Sequence, residues 1–149
     1  MSEGKMATVK VVSRVIGPGQ AVCGVRGHEY RLDAPPLIEG PNEEVNPVEA
    51  LVGSLAACAV LFVQFLARTM NVPVDEVTAE AEADFDPRAV KGEEGDSALA
   101  AIRLKYNVKP GEGADRAGVE KLVEAFRARC PVHRTFSKAV DIAEEIVLV

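Results

Sequence analysis

The chain contains segments in which hydrophobic residues recur at every second position and two segments in which they recur at the spacing of a helix. Alternation or a β-branched composition typical of strands occurs in residues 7–16, 21–33, 77–86, 98–110 and 141–149. The second of these segments is broken at Gly27 and therefore predicts one or two strands. In the third, acidic residues alternate strictly with small or apolar ones, which predicts a half-exposed strand.

The longest apolar segment, residues 50–67, predicts a long helix. Asn46 is suited to cap the free amides, Pro47 suits the first helical position, and Glu49 follows at the third position, as in a capping box. We expect the helix to end near Pro73, which cannot continue it. Since apolar residues cover nearly every face, the pattern predicts a central helix that is buried on most sides.

A second helix is predicted over residues 113–130, where apolar residues recur at helical spacing: Val119, Leu122, Val123 and Phe126. Pro131 suits the start of a further short helix within 131–140. Residues 34–47 and 87–96 are polar loops, and the first of these is long enough to suggest a functional role. The order of strands, helix, strands, helix and strand predicts an α+β fold.

Composition and charge narrow the class of protein. The 149 residues, 48% hydrophobic and 27% charged, fit one domain over residues 1–149. A net charge of −6 argues against a broad nucleic-acid footprint, so we expect no nucleic-acid partner. Gly53, Ser54 and Gln64 interrupt the long apolar segment, which favours a core helix and no membrane span. The polar start of the chain is not typical of a signal peptide and favours the cytoplasm.

Three cysteines are candidates for chemistry. Cys23 lies among valines in a predicted strand, which favours a small core residue. Cys58 lies in the middle of the long helix, on the same face as Leu55 and Phe62. A buried thiol in apolar surroundings is inert unless a cation or hydrogen-bond donors reach it. The pattern around Cys58 therefore favours a core residue and leaves a redox role open.

Cys130 has a different setting, because Pro131 follows it directly and is expected to begin a new helix. A cysteine at such a position is stabilised as a thiolate by the helix dipole, and Arg129, His133 and Arg134 add positive potential. The residues alone leave a reactive and a structural role equally open. The C-x-x-H spacing of Cys130 and His133 is also compatible with a metal site, but no second tight pair of ligands accompanies it.

Two stretches together resemble the OsmC/Ohr family of thiol-dependent organic hydroperoxide reductases. The first is "NPVEALVGSLAAC", residues 46–58, and the second, about seventy residues later, is "CPV", residues 130–132. The preceding "LDAPPLIEGPNEEVNPVEAL" resembles the loop that leads into the central helix in the broader OsmC-like branch. The resemblance covers nearly the whole chain. It implies an α+β fold in which antiparallel sheets pack on a long central helix and a second helix, within an intertwined homodimer.

The resemblance also implies an activity and the thiols that carry it. Cys58 corresponds to the peroxidatic cysteine and Cys130 to the resolving cysteine of a cysteine-based peroxidase. The implied partners are an organic hydroperoxide substrate and an external dithiol reductant, for which a lipoyl protein is a candidate. No flavin, haem or metal cofactor is needed, because the sulfenic acid formed on one thiol condenses with the other.

Two further site residues are implied less directly. In the Ohr and OsmC branches a glutamate directly follows the Asn-Pro pair, whereas here that position is Val48 and Glu49 comes one residue later. On a regular helix Glu49 lies on the face opposite Cys58, so it is either a catalytic residue acting through an arginine or only a cap. Arg31 is the first candidate for the catalytic arginine and Arg26 the second, although either is compatible with a solvated strand residue.

An apolar wall beside the thiols would hold the substrate's organic group, and the sequence offers Leu55, Phe62, Phe65 and Phe136 for it. The alternative hypothesis is a protein of the same fold that binds an apolar small molecule, or serves a stress-related role, without peroxidase activity.

Overall fold

The structure, a computed structural model, describes Gly4 and residues 6–149. Residues 1–3 and 5, which belong to the segment interpreted as lacking a signal peptide, lie outside the described residues. The chain divides into two units, residues 1–49 and 50–149. A single domain over residues 1–149 therefore stays a prediction.

The first unit holds an antiparallel sheet of order β1-β2-β3, formed by β1 (Val12–Gly17), β2 (Gln20–Val25) and β3 (His28–Asp33). The break predicted at Gly27 is the turn between β2 and β3. Arg26 and Gly27 have φ angles of 52° and 83°, as the two central residues of a type I′ hairpin turn require. The first strand begins at Val12 rather than at residue 7, because its pairing with β2 ends at the Val12–Gly24 pair.

The loop after β3 is held by Asp33, whose side chain is buried. Its Oδ2 accepts hydrogen bonds from the backbone N–H groups of Glu43, at 2.6 Å, and Glu44, at 2.9 Å. Gly40 passes so close to Ala34 that a Cβ there would lie 1.7 Å from the Ala34 carbonyl oxygen, so only glycine fits. The polar loop predicted from composition is thus an ordered segment, with a short 3-10 turn at Pro36–Ile38.

The helices of the described chain are α1 (Pro47–Thr69), α2 (Pro87–Val90), α3 (Arg116–Arg129) and α4 (Pro131–Phe136). The cap predicted for α1 is present. The Asn46 Oδ1 accepts the N–H groups of Val48 and Glu49, and the Glu49 carboxylate accepts the N–H of Asn46 at 2.9 Å. The short helix α2 lies inside the segment predicted as a polar loop, where Asp86 caps it by accepting the Arg88 N–H.

The sheet of the second unit has the order β4-β5-β6, formed by β4 (Val74–Asp84), β5 (Ala101–Pro110) and β6 (Ile142–Leu148). Strands β4 and β5 are antiparallel, whereas β5 and β6 are parallel. This sheet is therefore mixed rather than purely antiparallel. The reason is that α3 and α4 lie between β5 and β6 in the chain, and a helical crossover returns the chain in the same direction.

The core of the second unit lies between this sheet and the helices. Four alternate residues of β5 face inward with at most 1% exposure: Ile102, Leu104, Tyr106 and Val108. The stripe predicted for α3 is fully buried: Val119, Leu122, Val123 and Phe126. On the opposite face of the sheet, Arg103 bridges the exposed carboxylates of Glu82 and Asp84 at 2.8 and 2.7 Å. The half-exposed strand predicted from acidic alternation is confirmed as β4.

Helix α1 is buried on one side only. Its buried residues are Leu55, Ala59, Val63, Leu66 and Ala67, which recur at helical spacing. By contrast, Leu51, Leu61 and Phe65 are 49%, 66% and 47% exposed. The prediction that α1 is buried on most sides is therefore wrong for the single chain, because nothing in the second unit covers this apolar face. By length and composition alone, α1 is also the one helix of the described residues that could cross a membrane, a property it shares with many core helices.

Candidate active site

The structure brings the two predicted reactive cysteines together. The Sγ atoms of Cys58 and Cys130 lie 3.1 Å apart although the residues are 72 positions apart in sequence. Both thiols are free. A disulfide bond is about 2.05 Å long, so an approach of about 1 Å would join them. The pair is thus two free thiols within about 1 Å of disulfide bonding distance.

The position of Cys130 follows from the proline after it. A residue before proline is driven out of the α region, and Cys130 has φ −70° and ψ 120°. Helix α3 therefore ends at Arg129, with its last hydrogen bond from the Cys130 N–H to the Phe126 carbonyl at 2.8 Å. The chain turns and α4 begins at Pro131. The Cys130 side chain, fully buried, then accepts the backbone N–H of His133 at 3.4 Å.

Cys58 lies at the boundary between the core and the exposed face of α1. Its side chain is partly buried and packs against the core of the second unit. Burial, together with the hydrogen bond and the charge of the neighbouring Cys130, raises the pKa of the Cys58 thiol to about 12. These surroundings favour the neutral thiol form of Cys58 at neutral pH.

The apolar residues predicted around the thiols divide into two groups. Leu55 and Phe136 are core residues with 0% and 9% exposure. Phe62, one turn after Cys58 on α1, is partly buried and packs edge-on against Phe126, with ring centroids 6.1 Å apart. Phe65 is largely exposed. Of the four residues predicted for a substrate wall, Phe62 and Phe65 are the ones still open to a ligand.

A buried carboxylate that was not among the predicted site residues lies against His133 of α4. Glu144 on β6 has a side chain only 6% exposed. Its Oε1 lies 2.5 Å from Nε2 of His133, and its Oε2 accepts a hydrogen bond from Nε of Arg127. The hydroxyl of Tyr106 and Nδ1 of His133 are also buried, with no hydrogen-bond partner among the described residues. Burial raises the pKa of Tyr106, and the negative charge of Glu144 adds to the effect.

This group changes the electrostatic setting predicted for Cys130. Arg129 and Arg134 are exposed, whereas the imidazole of His133 is buried against Glu144. A positive charge on His133 is therefore offset by the carboxylate beside it. The same contact engages only Nε2 of His133, and no three metal-ligating side chains cluster anywhere in Gly4 or residues 6–149.

The remaining site candidates lie in the first unit. Arg31 is exposed on β3 opposite Val22, and its neighbour across the sheet, Arg14, pairs with Glu29 at 3.7 Å. Arg26 lies in the hairpin turn. Glu49 is exposed, and its carboxylate serves the α1 cap. The catalytic roles of Arg31 and Glu49 stay predictions.

Cys23, the third cysteine, lies in the first unit. It is 5% exposed in the central strand β2, and its Sγ accepts the hydroxyl hydrogen of Ser13 at 3.0 Å. The prediction of a buried core residue is confirmed.

Comparison with known proteins gives one family match. The family model described as OsmC-like protein matches residues 40–145. This range contains both thiols of the pair, together with Glu144 and α1. No curated protein matches the chain.

Solved structures of the same fold cover almost the whole chain. An OsmC-like protein from Mycoplasma pneumoniae has a TM-score of 0.80 at 16% identity and covers 96% of this chain and 98% of its own. An organic hydroperoxide resistance protein OsmC from Legionella pneumophila has a TM-score of 0.72 at 17% identity, with 97% and 99% covered. An organic hydroperoxide resistance protein from Elizabethkingia anophelis has a TM-score of 0.74 at 15% identity, with 98% and 99% covered. At these identities the likeness establishes the fold alone.

Proposed function

Because the chain belongs to the OsmC family, we propose that it is a cysteine-based peroxidase that reduces organic hydroperoxides with Cys58 and Cys130. The observation that supports this most directly is the 3.1 Å separation of two free thiols, one fully buried and one partly exposed. Two relatives of the same fold are organic hydroperoxide resistance proteins, which favours the same substrate class.

The proposed reaction has three balanced steps. The Cys58 thiolate attacks the O–O bond of the hydroperoxide, takes one oxygen to become a sulfenic acid, and releases the alkoxide, which is protonated to the alcohol. The Cys130 thiol then attacks the sulfenic sulfur, so that a disulfide and water form. An external dithiol reduces this disulfide by exchange and is itself oxidised to a disulfide. A lipoyl protein has the dithiol chemistry that this last step requires.

The first step needs a cation, because burial and the neighbouring Cys130 oppose ionisation of Cys58. At pH 7 a thiol with a pKa of about 12 is a thiolate in only about one molecule in 100,000. An arginine is suited to the task, since its guanidinium is always charged and can also donate to the peroxide oxygens. The proposal assigns this role to Arg31, with Arg26 as the second candidate and Glu49 as a residue that could orient the arginine.

We expect Arg31→Leu to change how the reactivity of Cys58 depends on pH. A raised pKa disfavours the thiolate, so without the cation the rate with hydroperoxide should rise about tenfold per pH unit from pH 6 to pH 9. In the wild-type protein, where the cation lowers the pKa, the rate should level off within this range. Stopped-flow measurement with tert-butyl hydroperoxide tests this. Arg26→Gly, which suits the positive φ at that position, is the matched variant. Loss of the plateau in Arg26→Gly rather than in Arg31→Leu would move the role to Arg26.

The proposal includes a homodimer. The apolar face of α1 that holds Leu51, Leu61 and Phe65 is exposed to water in the single chain, and a second copy of the chain would cover it. Phe62 and Phe65 would then line a more enclosed site that suits an organic group. The proposed compartment is the cytoplasm, where dithiol reductants keep such a thiol pair reduced between turnovers.

Mass spectrometry of the peroxide-treated protein tests the proposed function. One equivalent of an organic hydroperoxide should remove two hydrogen atoms from the intact mass. Peptide mapping should locate a disulfide between the peptides that contain Cys58 and Cys130. A disulfide mapped to Cys23, or an unchanged mass with stoichiometric hydroperoxide, would count against the proposal. An inert protein that carries a bound apolar molecule would support the alternative, a ligand-binding role.

A further inference from the structure

We infer that Glu144 is a positioning residue for the resolving cysteine, acting through His133. The inference rests on the proposed function, because it assigns a role in the second step of that reaction. Glu144 touches neither thiol. It contacts α4 through His133, and the backbone of His133 donates a hydrogen bond to the Cys130 sulfur.

The first step of the argument is the placement of Glu144 on the sheet. On β6 it stands opposite Leu104 of β5, in register, and alternation directs its side chain to the same face as Ile142 and Ile146. That face is covered by α3 and α4. Removing a carboxylate from water at this position is strongly unfavourable unless partners compensate for it.

The second step concerns those partners. His133 is the third residue of α4, and its Nε2 lies 2.5 Å from the Glu144 carboxylate, with both side chains less than 10% exposed. Arg127 reaches the other carboxylate oxygen from α3. A buried carboxylate that releases its partners is left unpaired, so the contact fixes α4 to strand β6.

The third step links α4 to the sulfur. The backbone N–H of His133 donates to Sγ of Cys130 at 3.4 Å, so the residue held by Glu144 through its ring also orients the thiol through its main chain. The ring of His133 packs edge-on against Phe126 at 5.2 Å, and Phe126 in turn packs against Phe62 of α1. The position of Cys130 relative to Cys58 is thus defined by contacts among four elements, β6, α4, α3 and α1.

The consequence is kinetic. Resolution of the sulfenic acid depends on the effective concentration of the Cys130 sulfur at Cys58, and a misplacement of about 1 Å can reduce such a step by about two orders of magnitude. The attack of Cys58 on the hydroperoxide does not involve Cys130. Loss of the Glu144 contact should therefore slow disulfide formation and leave sulfenic acid formation intact.

The test uses Glu144→Gln, with Glu145→Gln as the matched control. Gln keeps the volume of the side chain and removes its charge, and Glu145 is the next residue of β6, exposed on the opposite face. Each full-length variant is equilibrated with oxidised and reduced glutathione, and the fraction with the Cys58–Cys130 disulfide gives the effective concentration. We expect Glu144→Gln to lower it at least about tenfold and Glu145→Gln to leave it within about twofold of wild type.

A second pair of variants covers the case in which Glu144→Gln does not fold. His133→Gln keeps an N–H that can donate to Glu144, whereas His133→Leu has none. We expect His133→Gln to retain the wild-type effective concentration and His133→Leu to lose at least about tenfold. Trapping of the sulfenic acid with dimedone should increase in Glu144→Gln and His133→Leu, a signature that a purely stabilising contact would not produce.

Equal effective concentrations in Glu144→Gln and Glu145→Gln, or in His133→Leu and wild type, would overturn the inference. The glutathione assay contains no peroxide. If the wild-type protein forms the Cys58–Cys130 disulfide there but does not reduce a hydroperoxide, the proposed function fails, and the variants then show only whether Glu144 positions Cys130 for disulfide formation.

Discussion

Replacement of Cys58 by serine should reduce turnover of an organic hydroperoxide by at least about 1,000-fold, since the thiolate is the group that attacks the peroxide bond. Serine is close in size to cysteine, and the Cys58 side chain is only partly buried, so the fold should persist. Consumption of tert-butyl hydroperoxide in the presence of excess dihydrolipoamide measures the activity. Circular dichroism and thermal unfolding establish that the variant is folded.

Cys23→Ser is the matched control for this experiment. Cys23 is buried in the first unit, and serine keeps an acceptor for the Ser13 hydroxyl, so this variant should retain turnover within about twofold. A folded Cys58→Ser protein that keeps a tenth or more of the wild-type rate would show that another group reduces the peroxide. A loss of activity in both variants would point to a general effect of thiol removal on stability.

Much of the fold could be predicted because local patterns and tertiary packing agree. The buried face of α3 could be predicted from its apolar stripe, Val119, Leu122, Val123 and Phe126. Pro131 indicates both where α3 ends and where α4 begins. The parallel direction of β6 could also have been expected from the helical crossover that precedes it. Alternation alone could not show it, since a two-residue period is the same in both strand directions.

The burial of α1 could not be predicted in the same way. Periodicity shows which faces of a helix are apolar, but it does not show which molecule covers them. Leu61 and Phe65 satisfy the pattern of a core helix and are 66% and 47% exposed in the single chain. An all-round apolar helix is equally consistent with a core of one chain and with an interface between two copies.

For the candidate site, the sequence identified the two thiols but not what supports them. The proximity of Cys58 and Cys130 could be predicted only from a family resemblance, because residues 72 positions apart have no local signal of contact. Glu144, in contrast, carried a signal that was overlooked. By alternation, its side chain lies on the core-facing side of β6, as do those of Ile142 and Ile146. An acidic residue at a core position usually has a specific partner.

Replacement of Cys130 by serine should separate the two halves of the catalytic cycle. Cys58 should still be oxidised by the hydroperoxide at a rate within about tenfold of wild type, because attack on the peroxide forms no bond to the resolving thiol. No intramolecular disulfide can then form, so the sulfenic acid should accumulate and proceed to sulfinic acid with excess peroxide. Sustained turnover should fall at least about 100-fold as the protein is inactivated.

The fold of Cys130→Ser should be preserved, because the serine oxygen can accept the His133 N–H in place of the sulfur. Dimedone labelling followed by intact-mass measurement detects the sulfenic acid at Cys58, and its absence in Cys58→Ser identifies the site. Wild-type protein should show little labelling, since a thiol 3.1 Å away intercepts the sulfenic acid first. If wild-type and Cys130→Ser proteins labelled equally and turned over equally, Cys130 would be a buried neighbour of Cys58 and not its resolving partner.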